Sequence, residues 1–182
     1  QQVAHDTGSS RIATGHTADD QAETFLMRLV RGAGVAGLSG IPPKRDNIVR
    51  PLIEITREEV LMYLEERGLS CRIDSTNDQP IYTRNRIRRD ALPVLKQFNP
   101  RIVETLAQEA ALLRDEDAAV EAHLDGIAKH ALVRTDDELV VRREAFATLP
   151  AAFQRRLFRK LVDLTETDAS LLSLGQVDDA LA

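Results

Sequence analysis

The chain has 182 residues, 43% of them hydrophobic, 4% aromatic and 29% charged, which suits one ordinary globular domain or two small ones and is a poor composition for disorder. Lys and Arg number 24 against 29 Asp and Glu, a formal net charge of -5, so a general nucleic-acid coat is excluded and any RNA or DNA site has to be local. The one cysteine, Cys71, forms no internal disulfide and no Cys-x-x-Cys metal or iron–sulfur site, which points to a reducing cytoplasm, and the apolar runs are too short for a membrane span or an export signal.

Arg11-Ile12-Ala13-Thr14, apolar in its middle and followed by Gly15, predicts the end of a buried parallel strand. Thr17 with Asp20 three residues on is a capping-box start. Ala22, Phe25, Leu26, Leu29 and Val30 then recur at helical spacing up to Gly32, which suits the left-handed residue that ends a helix. Strand, polar turn and amphipathic helix in that order make an α/β unit whose strand delivers Gly15, His16, Asp19 and Asp20 to its C-terminal rim, where open α/β sheets bind ligands. Ile48 to Ile53 reads as extended, with Pro51 excluding a central antiparallel strand. Thr56 and Glu59 cap a second helix that carries Val60, Leu61 and Leu64 and stops at Gly68; Asp74 to Asp78 is loop by composition.

Between residues 84 and 101 the basic side chains Arg84, Arg86, Arg88, Arg89, Lys96 and Arg101 meet a single acid, Asp90. Asn99-Pro100 opens a long helix with an apolar stripe from Val103 to Ala131, expected to break or bend near Asp115-Glu116-Asp117. Leu139-Val140-Val141 predicts a strand, and Ala151 to Leu164 a helix with Phe153, Leu157 and Leu161 inward. Residues 1–100 carry a net +1 and residues 101–182 a net -6, so the domain boundary is placed close to Asn99, with domains at 1–98 and 99–182. The fold class read from this order is α/β, part of a parallel-sheet domain followed by a smaller, mostly helical one.

Three constellations carry chemistry. Residues 15–24, Gly-His-Thr-Ala-Asp-Asp-Gln-Ala-Glu-Thr, hold more polar groups than a capped helix start needs; carboxylates there suit a metal bridging phosphates or an amine cation, against the plain alternative of acids complementing the helix dipole. Gly32-Ala33-Gly34-Val35-Ala36-Gly37 spells G-x-G-x-x-G, but a helix precedes it where a dinucleotide site needs a strand, so it is read as a helix cap opening into a flexible loop, with Gly40 adding mobility. Tyr82-Thr83-Arg84-Asn85-Arg86-Ile87-Arg88-Arg89 is either a solvated helix face or a grip for phosphates and a base; Arg155-Arg156 with Arg159-Lys160 is a second, weaker basic group. Among the histidines only His16 has a suggestive setting, and Cys71 reads as a small core residue.

The run Ile12 to Thr24, then Arg28, Arg31 to Gly34 and Gly37-Leu38, closely resembles the tRNA(Ile)-lysidine synthetase family. Arg50-Pro51-Leu52, Asp74 to Asn77, Tyr82 to Arg88 and Asn99-Pro100 follow in the same order and at similar spacings, and the resemblance covers roughly residues 3–165. It implies a Rossmann-like N-type ATP pyrophosphatase domain, with residues 99–182 as the helical tRNA-binding part. The activity implied is ligation of lysine to C2 of the wobble cytidine of an isoleucine tRNA through an adenylate, with ATP and Mg2+ as cofactors and L-lysine and that tRNA as partners. No membrane is involved, and a homodimer is allowed.

By the same resemblance Asp20 and Arg84 are catalytic, while His16, Asp19 and Glu23 line the ATP and lysine wall. Asn85, Arg86, Arg88, Arg89, Arg155 and Arg156 face the tRNA, and no protein metal ligand is assigned. The family's Ser-Gly-Gly-x-Asp-Ser phosphate loop does not occur in the sequence. The opening Gln1-Gln2-Val3-Ala4 lacks Met and is read as a cut end, so the loop is expected upstream and the 182 residues alone are expected to be inactive. A tRNA-thiolating relative and a non-catalytic RNA-binding fragment are the competing readings; Cys71 alone disfavours the first.

Overall fold

A computed structural model describes residues 4, 6–70, 83–134 and 139–164, so Cys71, the Asp74 to Asp78 loop and Tyr82 lie outside the described residues. The described chain is mostly helical with a small mixed sheet, and it divides into two compact units, Gln1–Asp117 and Ala118–Ala182.

In the first unit β1 (Ile12–Ala13) pairs in parallel with β3 (Ile48–Val49), Ile12 opposite Ile48, as the Arg11 to Thr14 segment predicts, but the strand is not buried as expected: Ile12 is half-buried and Ala13 exposed. β2 (Lys44–Arg45) lies antiparallel on the other side of β3, with Arg45 opposite Ile48. The connecting pair is Asp46-Asn47, and Asp46 takes the left-handed conformation (φ 54°) that Asp tolerates in a two-residue hairpin. β3 is therefore central with one antiparallel neighbour, contrary to the expectation from Pro51. Its pairing ends at Val49, so Pro51 falls in the following turn and costs no ladder bond.

The crossover helix α1 (Ala18–Val30) starts at Thr17, whose backbone N–H donates to Asp20 Oδ2 at 2.8 Å and whose hydroxyl lies 3.1 Å from the same oxygen. It ends at Gly32, φ +82°. Ala18, Ala22 and Phe25 bury against Ile87, Leu92, Val103, Leu106 and Ala110. The inward stripe is shorter than its apolar residues suggest: Leu29 and Val30 in the last turn are 49% and 78% exposed, because no described element covers that end. The loop beyond, with the short helix α2 (Val35–Leu38), is fastened rather than flexible, by contacts described below.

Helix α3 (Arg57–Glu66) is fixed by its ends: Thr56 N–H and hydroxyl both reach Glu59 Oε2 at 2.7 Å, and Gly68 closes it at φ +63°. Leu61, Met62 and Tyr63 nevertheless remain exposed. The two bonds from Thr56 hold the Glu59 carboxyl below its ordinary 4.5. A lowered carboxylate pKa means that this helix start is supported at neutral pH and loses that support as pH falls through the folded-state value. In an NMR titration the Glu59 midpoint is expected below 4.5 in the native protein and closer to it in Thr56→Ala.

Residues 83–98 form one helical passage: α4 (Thr83–Arg86), a π turn (Ile87–Ala91) and α5 (Leu92–Phe98). Pro93 has no N–H and its ring presses on the carbonyl four residues back, and the wider turn, with Leu92 N–H on Ile87 O, relieves both problems. Five residues apart, Ile87 and Leu92 would diverge by about 140° on an α-helix. The π turn lets both enter the core, at 7% and 5% exposure.

Asn99 Oδ1 accepts the Arg101 N–H at 3.0 Å ahead of α6 (Ile102–Ala131), which runs unbroken past Asp115-Glu116-Asp117. No Gly or Pro stands there, and charge in a solvated stretch does not by itself stop a helix. The compact units divide between Asp117 and Ala118, inside α6 and well past Asn99, because Val103, Leu106 and Ala110 belong to the first unit's core. In the second unit the core is Leu124, Ala128, Ala131 and Leu157. It joins the later turns of α6, the antiparallel pair β4 (Leu132–Arg134) and β5 (Leu139–Val141), α7 (Arg143–Ala147) and α8 (Ala151–Leu164). Among the described residues no helix is long and apolar enough to cross a membrane.

Candidate functional site

Glu23 lies one turn into α1, on the side turned toward the π-turn passage, and is fully buried. A carboxylate at that depth has to be paired, since its desolvation costs several kcal/mol on the order of magnitude found for buried ions. Two arginines supply the pairing. Arg84 Nε donates to Glu23 Oε2 at 2.7 Å and Arg88 Nε to Glu23 Oε1 at 2.5 Å. Arg84 also reaches Asp20 Oδ1 at 3.0 Å, while Asp20 Oδ2 serves the Thr17 cap. One turn of α1 thereby receives two guanidiniums spaced one turn apart on α4 and the π turn.

The Arg88 guanidinium is held above its ordinary value, chiefly by the hydrogen bond to Glu23 acting against partial burial, with the charges of Glu23, Asp20 and Asp19 adding to it. Both arginine side chains keep about a third of their surface exposed (37% and 34%), whereas Glu23 keeps 1%. The arrangement is a buried anion carrying two cations whose outer edges face water. Such a pair can grip a phosphate or an oxyanion.

Asp20, Glu23, Arg84 and Arg88 are thus brought together from two stretches more than sixty residues apart in sequence. The other expected site residues make different contacts. Asp19 Oδ2 accepts the N–H of Arg57, the first residue of α3, at 2.6 Å and so ties two helix starts together. His16 Nδ1 lies 2.9 Å from Thr14 Oγ1 at the C-terminal end of β1, beside Gly15, where the space next to the backbone is open. Asn85, Arg86 and Arg89 line a cleft of about 280 Å³ together with Asp90. In the second unit Arg156 is 2.7 Å from Glu121, and Lys160, one turn on, pairs with Asp125, so the acids of α6 partly neutralise the second basic group.

Sequence reasoning missed the fastening of the glycine-rich loop. Gln21, 2% exposed, donates through Nε2 to Ile41 O and accepts from Ile41 N–H, both at 2.7 Å. Arg28 donates to Gly37 O at 2.6 Å and Gly40 O at 3.1 Å, and Arg114 to Ser39 O at 3.3 Å. Gly40 sits at φ +68°, in the left-handed region. A glutamine beside an apolar stripe is the one local sign of such a contact, and its partner cannot be read locally.

Residues 1–95 match the family described as PP-loop domain. Over 170 residues the chain is 42% identical to the tRNA(Ile)-lysidine synthase of Solibacter usitatus, covering 92% of this chain and 39% of that protein. It is 38% identical to the tRNA(Ile)-lysidine synthases of Caldanaerobacter subterraneus and of Geobacter sulfurreducens, over 96% and 97% of this chain and 38% of each of theirs. The chain spans about two fifths of the length of these relatives.

Proposed function

The chain belongs to the PP-loop family, and on that premise we propose that its parent enzyme modifies tRNA, ligating L-lysine to C2 of the wobble cytidine of an isoleucine tRNA with ATP as the activating substrate. The observation that carries this reading is the convergence of Asp20, Glu23, Arg84 and Arg88, drawn from the two stretches whose sequence resembles that class of enzyme. The cytidine carbonyl oxygen attacks the α-phosphorus of ATP and pyrophosphate leaves; the amine of lysine then gives up a proton, bonds to C2, and AMP departs.

His16 and Gly15, at the C-terminal end of β1, and Asp20 beside them form the wall for ATP and lysine, and Arg84 faces the reacting cytidine. Asn85, Arg86 and Arg89, around the cleft, take the anticodon backbone, with residues 99–182 as the further tRNA-binding part. Arg155 and Arg156 are assigned to the same tRNA, Arg156 by exchanging Glu121 for a phosphate. Magnesium is expected to arrive with ATP, where it would neutralise the departing pyrophosphate, and no protein ligand is assigned to it. The cytoplasm is the expected compartment and a homodimer an allowed assembly.

The test uses the full-length parent with labelled lysine, ATP and an isoleucine tRNA bearing cytidine at the wobble position. Lysine is expected in the tRNA together with AMP and pyrophosphate, and not in the same tRNA with wobble uridine. Arg86→Ala with Arg89→Ala is expected to weaken tRNA binding and to flatten its salt dependence by about 0.7 of a log–log unit per lost phosphate contact. Tight tRNA binding with no lysine transfer would overturn the ligase reading in favour of an RNA-binding protein.

A further inference from the structure

Glu23 is the most deeply buried charged group of the site, and neither of its oxygens is open to a ligand: Oε2 takes Arg84 Nε at 2.7 Å and Oε1 takes Arg88 Nε at 2.5 Å, while its side chain is 1% exposed. An ammonium group could reach it only by displacing a guanidinium from a charge-assisted bond. We propose that Glu23 touches neither lysine nor ATP and is instead a positioning residue, a bridge that sets the guanidiniums of Arg84 and Arg88 side by side as a two-armed clamp for a phosphate-type oxyanion. This inference rests on the ligase reading for its kinetic test.

Three observations support it. Each arginine spends Nε on Glu23, and Arg84 spends one terminal nitrogen on Asp20, which leaves terminal N–H groups of both on the exposed third of the side chains. One carboxylate bonded through both oxygens fixes the azimuth of both planar groups at once, which a pair of separate carboxylates would not do. The π turn sits between α4 and α5 and carries Arg88, so the backbone here is already specialised where the clamp is mounted. Arg86 and Arg89, pointing to the cleft, have no part in it.

The experiment uses the full-length parent. Glu23→Gln keeps the volume and removes the charge. It is expected to lower kcat about 10- to 100-fold, with the KM for lysine changed less than about twofold. Glu23→Asp, one methylene too short to span both arginines, is expected not to restore the rate although it restores the charge. In an Arg84→Ala, Arg88→Ala background Glu23→Gln is expected to cost almost nothing more, because it acts through those two groups.

A raised KM for lysine with kcat recovered at saturation, rescue by Glu23→Asp, or additive effects in that background would each overturn the proposal in favour of direct contact. A readout free of turnover is the Arg88 Nε–H resonance, expected to be shifted and slow to exchange in the native protein and to lose both features in Glu23→Gln; no change would also overturn it. If Glu23→Gln fails to fold, Arg84→Ala and Arg88→Ala singly, both at partly exposed side chains, are expected to lower kcat with the lysine KM held. Absence of lysine transfer by the native parent would remove the ligase reading alone, since the resonance still decides whether Glu23 holds Arg88.

Discussion

Asp20→Asn in the full-length parent is expected to lower turnover by about 10- to 100-fold while tRNA affinity stays within about twofold. Both oxygens of Asp20 accept: Oδ2 from Thr17 N–H at 2.8 Å, Oδ1 from Arg84 at 3.0 Å. An asparagine has one oxygen to offer. With it turned to Thr17, the amide NH2 faces a guanidinium, donor against donor; turned the other way, the start of α1 loses its cap. A hydrogen bond to a charged group contributes about 1.5–3 kcal/mol, which sets the size of the loss. The first arrangement leaves Arg84 held by Glu23 alone, and the charge beside any bound amine is gone. Arg86 and Arg89, which the proposal assigns to the tRNA, line the cleft with Asn85 and Asp90, so affinity is expected to hold. Lysine-dependent turnover beside filter-binding affinity checks it, and an equal loss of both would put Asp20 on the RNA face.

Gly40→Ala is expected to destabilise the first unit by about 3 kcal/mol or more. Two costs add. At φ +68° an L side chain is strained by about 1–2 kcal/mol. The new Cβ also runs into Gln21 Oε1 and comes to 3.0 Å from Ala110 Cβ. Gln21 cannot swing aside freely, because it is buried and holds both polar groups of Ile41; releasing them costs about 1–3 kcal/mol for each group left unpaired. Urea denaturation is expected to show a lower midpoint with an unchanged slope. Gly34→Ala is the control, at φ -79° with nothing within 4 Å, and is expected to shift the midpoint little. Equal behaviour of the two variants would remove Gln21 as the anchor of this loop.

What could be read from sequence was what depends on residues three or four apart. Thr17 with Asp20, Thr56 with Glu59, and the glycine stops at Gly32 and Gly68 all formed where expected, since both partners of each contact lie in one short window. The chemical types at the site were legible in the same way. Their partners were not: Glu23 meets arginines sixty and more residues later, and Asp19 also accepts the first N–H of α3. The glycine-rich loop looked mobile because glycine permits many conformations, yet Gln21, Arg28 and Arg114 hold one of them. The long helix looked fragile at three adjacent acids, and the unit boundary looked earlier, because charge is visible in sequence and the burial of Val103, Leu106 and Ala110 is not.

The wider turn at Ile87–Ala91 carries a consequence for how this part of the molecule can vary. Its extra residue is taken up within the turn, so that Ile87 and Leu92, five apart, share one face and are both buried. The aim of the guanidiniums is therefore set by a residue count as much as by residue identity. Shortening the turn by one residue would put Ile87 and Leu92 four apart, about 40° from each other on an ordinary helix, so both anchors would keep one face; losing the wide turn at unchanged length would instead swing the segment bearing Arg84 by about 100° relative to Leu92.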